Sequence, residues 1–244
     1  MPAGEYSGFE VVDGHRIAYV RHDADAGERR LVVMAHGFQS SKIGPSRYFV
    51  PLARTLAARG VSTLRFDQPG CGDSDGDVED SSFVTWTRTI EHVVRARESE
   101  GGRLVLLGQS MGGTASMAAS AALSGCLAAL ALWSPGPMLD PRPPVDADAW
   151  AEESGQRVRG AFWREADAVD FLGCFARLDV PAYVVFGTAD DFITLAEMRR
   201  VEAAAKPGDR VRVIEGLAHS AWPYERRTEI IAETAAFLDR ALTT

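Results

Sequence analysis

Arg103-Leu104-Val105-Leu106-Leu107-Gly108-Gln109-Ser110-Met111-Gly112-Gly113-Thr114-Ala115 sets the frame for the rest of this chain. Leu104 to Leu107 carry no Gly, Pro or charge and include β-branched Val105, which is how a strand buried on both faces reads. Small residues follow, from Gly112 and Gly113 through Ala115, Ser116, Ala118 and Ala119 to Ala121 and Ala122, as a helix needs when it packs closely on a sheet. Between the two lies Gly108-Gln109-Ser110-Met111-Gly112, a G-x-S-x-G pattern on an expected strand-to-helix turn. A Cβ at either glycine would collide with the neighbouring strand and helix, so the pattern places Ser110 on a strained turn, its hydroxyl raised above the sheet at a helix N-terminus.

Working outward, strands and helices alternate. Phe9 to Asp13 and Arg16 to Arg21 read as an antiparallel hairpin around Asp13-Gly14. Leu31 to Ala35, Val61 to Asp67, Leu127 to Trp133, Ala182 to Phe186 and Val211 to Ile214 read as further strands. Helices are expected at Pro45 to Arg59, Ser82 to Arg97, Thr194 to Ala205 and Ala221 to Leu242. Such alternation implies an α/β fold with a mostly parallel sheet covered on both faces. The stretch from Pro135 to about Phe171 is the exception: proline-rich, acidic and aromatic, with helical fragments expected around Asp148 to Arg157. It reads as a small lid insertion over the carboxyl ends of the strands, where open α/β sheets bind ligands.

The length of 244 residues fits one domain spanning 1–244, with the insertion at about 135–171. A net charge of −8 argues against nucleic acid and anionic membranes as partners. Cys71, Cys126 and Cys174 form no C-x-x-C pair and read as reduced thiols in a cytoplasmic protein. No run approaches membrane-spanning length and the first residues lack the marks of an export signal. The Asp67 to Gly76 loop lacks the spacing of a calcium loop, and neither metal nor cofactor is expected.

A serine hydroxyl attacks a carbonyl only if a base takes its proton and a third group orients that base. Of the five histidines, His15, His22 and His92 read as solvated or structural, and His36, after a strand, as bonded to backbone. His219 lies between the last strand and the last helix, at the edge where strand ends converge. The acid is expected in Phe186-Gly187-Thr188-Ala189-Asp190-Asp191-Phe192-Ile193, with Asp190 favoured over Asp191 and helix capping as the plainer role for either.

Serine, acid and histidine in this order match the chain order of α/β-hydrolases, and the chain resembles that superfamily along nearly its whole length. His36-Gly37-Phe38, the Gly70-Cys71-Gly72-Asp73-Ser74 core of the Asp67 to Gly76 loop, and the Ser110 pentapeptide are similar to the cinnamoyl/feruloyl esterase and monoacylglycerol-lipase-like, serine aminopeptidase-type branch. The resemblance implies an eight-stranded sheet flanked by helices, and an oxyanion hole made by the backbone N–H groups of Phe38 and Met111. Trp133, Trp163 and Trp222 are expected at the substrate pocket, with fixing the loop after His219 as the other role for Trp222, and Trp150, Phe162, Phe171, Met138 and Leu139 as further candidate walls. The function this implies is hydrolysis of a carboxylic ester of a small or medium acyl substrate. Thioester cleavage, acyl transfer or cyclisation with the same residues, peptidase activity, and a non-catalytic ligand-binding role stay open, as does a homodimer.

Overall fold

In the computed structural model, which describes residues 4–24, 30–98, 100–136, 146–153 and 155–243, β1 (Gly4–Val12) and β2 (His15–Asp23) form the expected hairpin. Its turn residues Asp13 and Gly14 both have positive φ, 48° and 85°, as a two-residue connection between twisted strands requires. The chain continues through β3 (Arg30–Ala35), α1 (Phe49–Ala57), β4 (Ser62–Phe66), α2 (Phe83–Glu98), β5 (Arg103–Gln109), α3 (Met111–Ser120) and β6 (Leu127–Trp133). Next come β7 (Trp150–Glu153), β8 (Gln156–Arg159), α4 (Gly160–Asp167) and α5 (Phe171–Arg177), and then β9 (Ala182–Gly187), α6 (Leu195–Ala203), β10 (Arg210–Ile214) and α7 (Tyr224–Thr243).

Eight strands make one sheet in the order β1-β2-β4-β3-β5-β6-β9-β10, parallel except for the hairpin and its junction with β4. Residues alternate between two cores, which explains why Leu31 to Ala35, Leu104 to Leu107 and Leu127 to Trp133 are apolar at consecutive positions. On β5, Val105 and Leu107 face α1 and α7, while Leu104 and Leu106 face α2 and α3. On β6, Ala129, Ala131 and Trp133 share the first of these faces, and Leu130 and Leu132 the second. The order reverses around β3 and β5, so the loops after these strands diverge and leave a crevice at their carboxyl ends.

Two local expectations are corrected. The helix expected from Pro45 begins only at Phe49: Pro45–Arg47 is a 3-10 turn in which Ser46 and Arg47 have positive φ, 48° and 62°, so a continuous helix is broken there. The fragments around Asp148 to Arg157 are a hairpin, β7 with β8, instead of helix. Here period two prevails: Ala151 and Val158 face the core, Trp150 and Arg159 stand opposite each other on the outer face, and Gly155 turns the chain at φ 79°. Arg157 pins this hairpin to the turn at Val78–Asp80 by bonding both oxygens of Glu79. Among the described residues, no helix is long and apolar enough to cross a membrane.

The helix after the pentapeptide lies closer to β3 than any side chain would permit. A Cβ on Gly112 would stand 2.1 Å from the His36 carbonyl oxygen and 2.6 Å from that of Ala35. Gly112→Ala is therefore expected to cost about 3 kcal/mol, the upper end for overpacking, or roughly 6–12 °C in Tm at this chain length. Thermal denaturation followed by circular dichroism measures it, and an unchanged Tm would contradict the close approach.

Candidate active site

Ser110 caps α3 with φ 52° and ψ −126°, a conformation that costs a non-glycine residue about 1–3 kcal/mol. Four backbone bonds hold it there. Its N–H donates to the Trp133 carbonyl at 2.9 Å, and its carbonyl accepts from Gly113, Thr114 and Gly136 at 2.8, 3.1 and 3.4 Å. None of them uses the side chain, which is left to point away from the turn.

The other two residues of the expected trio arrive from loops stitched to each other. Ala189 N–H donates to the Leu217 carbonyl at 3.0 Å and Gly216 N–H to the Thr188 hydroxyl at 2.9 Å, so the loops after β9 and β10 are tied to each other. From them, Asp190 Oδ2 lies 2.7 Å from His219 Nδ1, and His219 Nε2 lies 2.7 Å from Ser110 Oγ. A carboxylate accepts, so Nδ1–H donates to it and Nε2 is left to accept from the serine hydroxyl.

The Asp190 side chain is fully buried. Its Oδ1 accepts from the backbone N–H groups of Phe192 at 2.8 Å and Ile193 at 3.1 Å. Burying a carboxylate costs several kcal/mol, and bonds to charged groups contribute about 1.5–3 kcal/mol each, so three of them offset the burial. Asp191 is exposed, and of the two neighbouring carboxylates it is Asp190 that meets the imidazole.

The His36-Gly37-Phe38 loop passes directly beside the serine. Gly37 N–H donates to the Gln109 side-chain oxygen at 3.2 Å, and a Cβ on Gly37 would stand 2.8 Å from that of Ser110. Phe38 anchors the loop from the other side, its ring 5.0 Å from that of Trp163 and 5.6 Å from that of Phe162. Met111 is the first residue of α3, so its N–H is among the donors that a helix leaves without an internal partner. His36 itself is fully buried and structural: Nδ1 donates to the Gly37 carbonyl and Nε2 accepts from Gln68 N–H, and burial holds its imidazole below the usual range, hence neutral. Burial likewise pushes the Cys71 thiol up to about 12, which keeps it unreactive.

The expected pocket tryptophans divide. Trp163 packs on Phe38 beside the crevice, although only 5% of it is exposed. Trp133 and Trp222 do not line an open pocket. Trp133 is fully buried on the α7 side of the sheet and donates from Nε1 to Thr234 Oγ1, and Trp222 packs edge-on against it in the same core. The reason is register: Trp133 is the last residue of β6 and belongs to the row with Ala129 and Ala131, which faces away from α3. Phe162 and Phe171 are core residues, Trp150 is exposed under the guanidinium groups of Arg157 and Arg159, and Met138 and Leu139 lie outside the described residues.

Sequence reasoning did not single out Phe192 or Gln109. Phe192 is 56% exposed and its ring lies 4.9 Å from that of His219. Gln109 sits inside the pentapeptide, where the pattern allows any residue. Neither has a sequence signal, because contact across loops leaves no mark on local periodicity. Among the described residues, no group of three His, Cys, Asp or Glu side chains is arranged to hold a metal ion.

A family model described as the alpha/beta hydrolase family matches residues 32–234. A proline iminopeptidase of Saccharolobus solfataricus is 34% identical over 113 residues, which are 46% of this chain and 34% of that protein. The match thus spans about a third of that relative's length. Among solved structures, Est1E from Butyrivibrio proteoclasticus with bound ferulic acid superposes with a TM-score of 0.83 at 21% identity, over 97% of this chain and all of that one. A monoacylglycerol lipase of Paleococcus ferrophilus gives 0.74 at 18% identity, over 92% and 99%. At these identities the likeness to the two structures is one of fold.

Proposed function

We propose that this chain, which belongs to the alpha/beta hydrolase family, is a serine hydrolase that cleaves carboxylic esters of small or medium acyl groups through a covalent acyl-enzyme. The observation that carries this reading is the unbroken line of hydrogen bonds from Asp190 through His219 to Ser110, two contacts of 2.7 Å joining residues 109 and 29 positions apart. Ser110 Oγ attacks the substrate carbonyl while His219 Nε2 takes its proton, and the Asp190 carboxylate stabilises the resulting imidazolium. The negative charge on the carbonyl oxygen is received by the backbone N–H groups of Met111 and Phe38, each worth roughly 3 kcal/mol in the transition state. His219 then gives its proton to the leaving alcohol. Water, deprotonated in turn by His219, attacks the acyl-enzyme and releases the free acid and Ser110.

The half-buried ring of Phe38, backed by Trp163, with exposed Phe192 at the imidazole, fits an uncharged acyl or alcohol group. The three unpaired cysteines fit a reducing, cytoplasmic setting. A second reading, removal of an N-terminal residue from a peptide, is favoured by the proline iminopeptidase relative. The two separate on a panel of p-nitrophenyl esters of increasing chain length, acyl thioesters and prolyl amides, scored by product mass. Free acid from esters, with prolyl amides untouched, is the expected result. Preferred cleavage of prolyl amides would favour the second reading, and failure of any ester to acylate Ser110 would overturn the first.

A further inference from the structure

His219 sits on an irregular segment, and its imidazole is hydrogen-bonded to Asp190 and Ser110 with the exposed Phe192 ring 4.9 Å away, contacts that leave its own backbone unheld. Something else must fix the backbone that carries it. Tyr48, just before α1 and 1% exposed, reaches this backbone from 172 positions away. Its hydroxyl donates to the Ser220 carbonyl at 2.6 Å and accepts from Trp222 N–H, also at 2.6 Å. The indole of Trp222 then donates from Nε1 to the Ala218 carbonyl at 2.9 Å, so carbonyls on both sides of His219 are tied. Tyr48 stacks on Trp222 with ring centroids 4.8 Å apart and planes 20° from parallel. Trp222 rests on Trp133, which is fastened to α7 through Thr234.

We propose that Tyr48, acting with Trp222, is a positioning residue for His219: a buried hydroxyl that sets the backbone of the histidine loop, and through it the distance from imidazole to Ser110. The inference deepens the serine-hydrolase reading and rests on it for its kinetic consequence. Tyr48 touches neither the reacting serine nor the space in front of it. Its leverage is geometric, since a displacement of about 1 Å in a catalytic group costs on the order of 10²-fold in rate. The same pair of aromatic rings would give ordinary core packing without the hydroxyl, so removing that one oxygen separates positioning from packing.

The test compares Tyr48→Phe and Trp222→Phe with the unaltered chain, each checked for folding by circular dichroism. With p-nitrophenyl acetate, Tyr48→Phe is expected to lower kcat by about 30-fold, with KM within about twofold, and Trp222→Phe by about 10-fold. The downfield proton resonance of His219 Nδ1–H bonded to Asp190 is expected to be sharp in the unaltered chain and broadened in Tyr48→Phe. A Tyr48→Phe variant with lowered Tm but kcat within twofold and an unchanged resonance would show the bracket to be packing alone and overturn the inference. If Tyr48→Phe does not fold, Trp222→Phe decides by the same criteria. Failure of the underlying reading shows differently: the unaltered chain would then not be labelled at Ser110 by a fluorophosphonate, and the resonance would still report on the bracket.

Discussion

Ser110→Ala is expected to lower kcat/KM for p-nitrophenyl acetate by on the order of 10⁵-fold while leaving the fold intact. The size follows from removing the atom proposed to attack. What survives is the background offered by bound donors and solvent. The fold should tolerate the change, because each backbone bond at position 110 comes from the main chain and alanine carries the same Cβ at φ 52°. Among the described residues, the side-chain bond lost is the one to His219 Nε2, on a side chain that is 14% exposed and can meet water instead. Thermal denaturation should therefore find Tm within about 3 °C of the unaltered chain. Steady-state kinetics with intact circular dichroism checks both halves, and activity within tenfold of the unaltered chain would remove Ser110 as the nucleophile.

Asp190→Asn is expected to lower kcat by about 10⁴-fold, against less than about threefold for Asp191→Asn. The neighbours of Asp190 explain why an isosteric change should be so costly. Oδ1 is held by two backbone donors, Phe192 and Ile193, and an asparagine must keep its carbonyl oxygen there or leave two buried N–H groups unpaired. Its NH2 is then aimed at His219 Nδ1, which can only accept from it. The proton moves to Nε2, and an imidazole protonated on that nitrogen cannot take one from Ser110. Asp191 is exposed and lies outside this arrangement. Kinetics of the two variants measured side by side settle the assignment: equal losses, or a larger loss at Asp191, would move the acid to the neighbouring carboxylate.

Much of this architecture was legible one residue at a time. Leu104 to Leu107 read as a doubly buried strand because every position faces one of two cores, and the strand is there. The limits of β6 fall at Leu127 and Trp133, as its composition implied, because Gly125 before it and Pro135 after it interrupt regular structure. Helix expected around Asp148 to Arg157 is a hairpin instead, because prolines upstream and acidic side chains mask a weak period-two pattern that only docking of Ala151 and Val158 on the core makes count.

The pocket was the least legible part. Trp133 and Trp222 lie near strand ends in sequence, but which face a side chain takes at a strand end depends on register against neighbouring strands. That register turned the Trp133 indole into the core beneath the histidine loop, and Trp222, on the irregular segment after β10, packs against it there.

Taken alone, the amino-acid order determined what local forces encode: the alternation of strand and helix, the glycines that let a serine sit on a strained turn, and the identity of the residue types such chemistry needs. Only the tertiary structure decided which carboxylate meets the imidazole, which tryptophans support the site from below, and that a tyrosine hydroxyl holds the histidine loop. The physical reason is range. Periodicity and turn chemistry act over a few residues, whereas hydrogen bonds and ring contacts between segments 29, 109 or 172 positions apart exist only once the sheet has brought the loops to one edge.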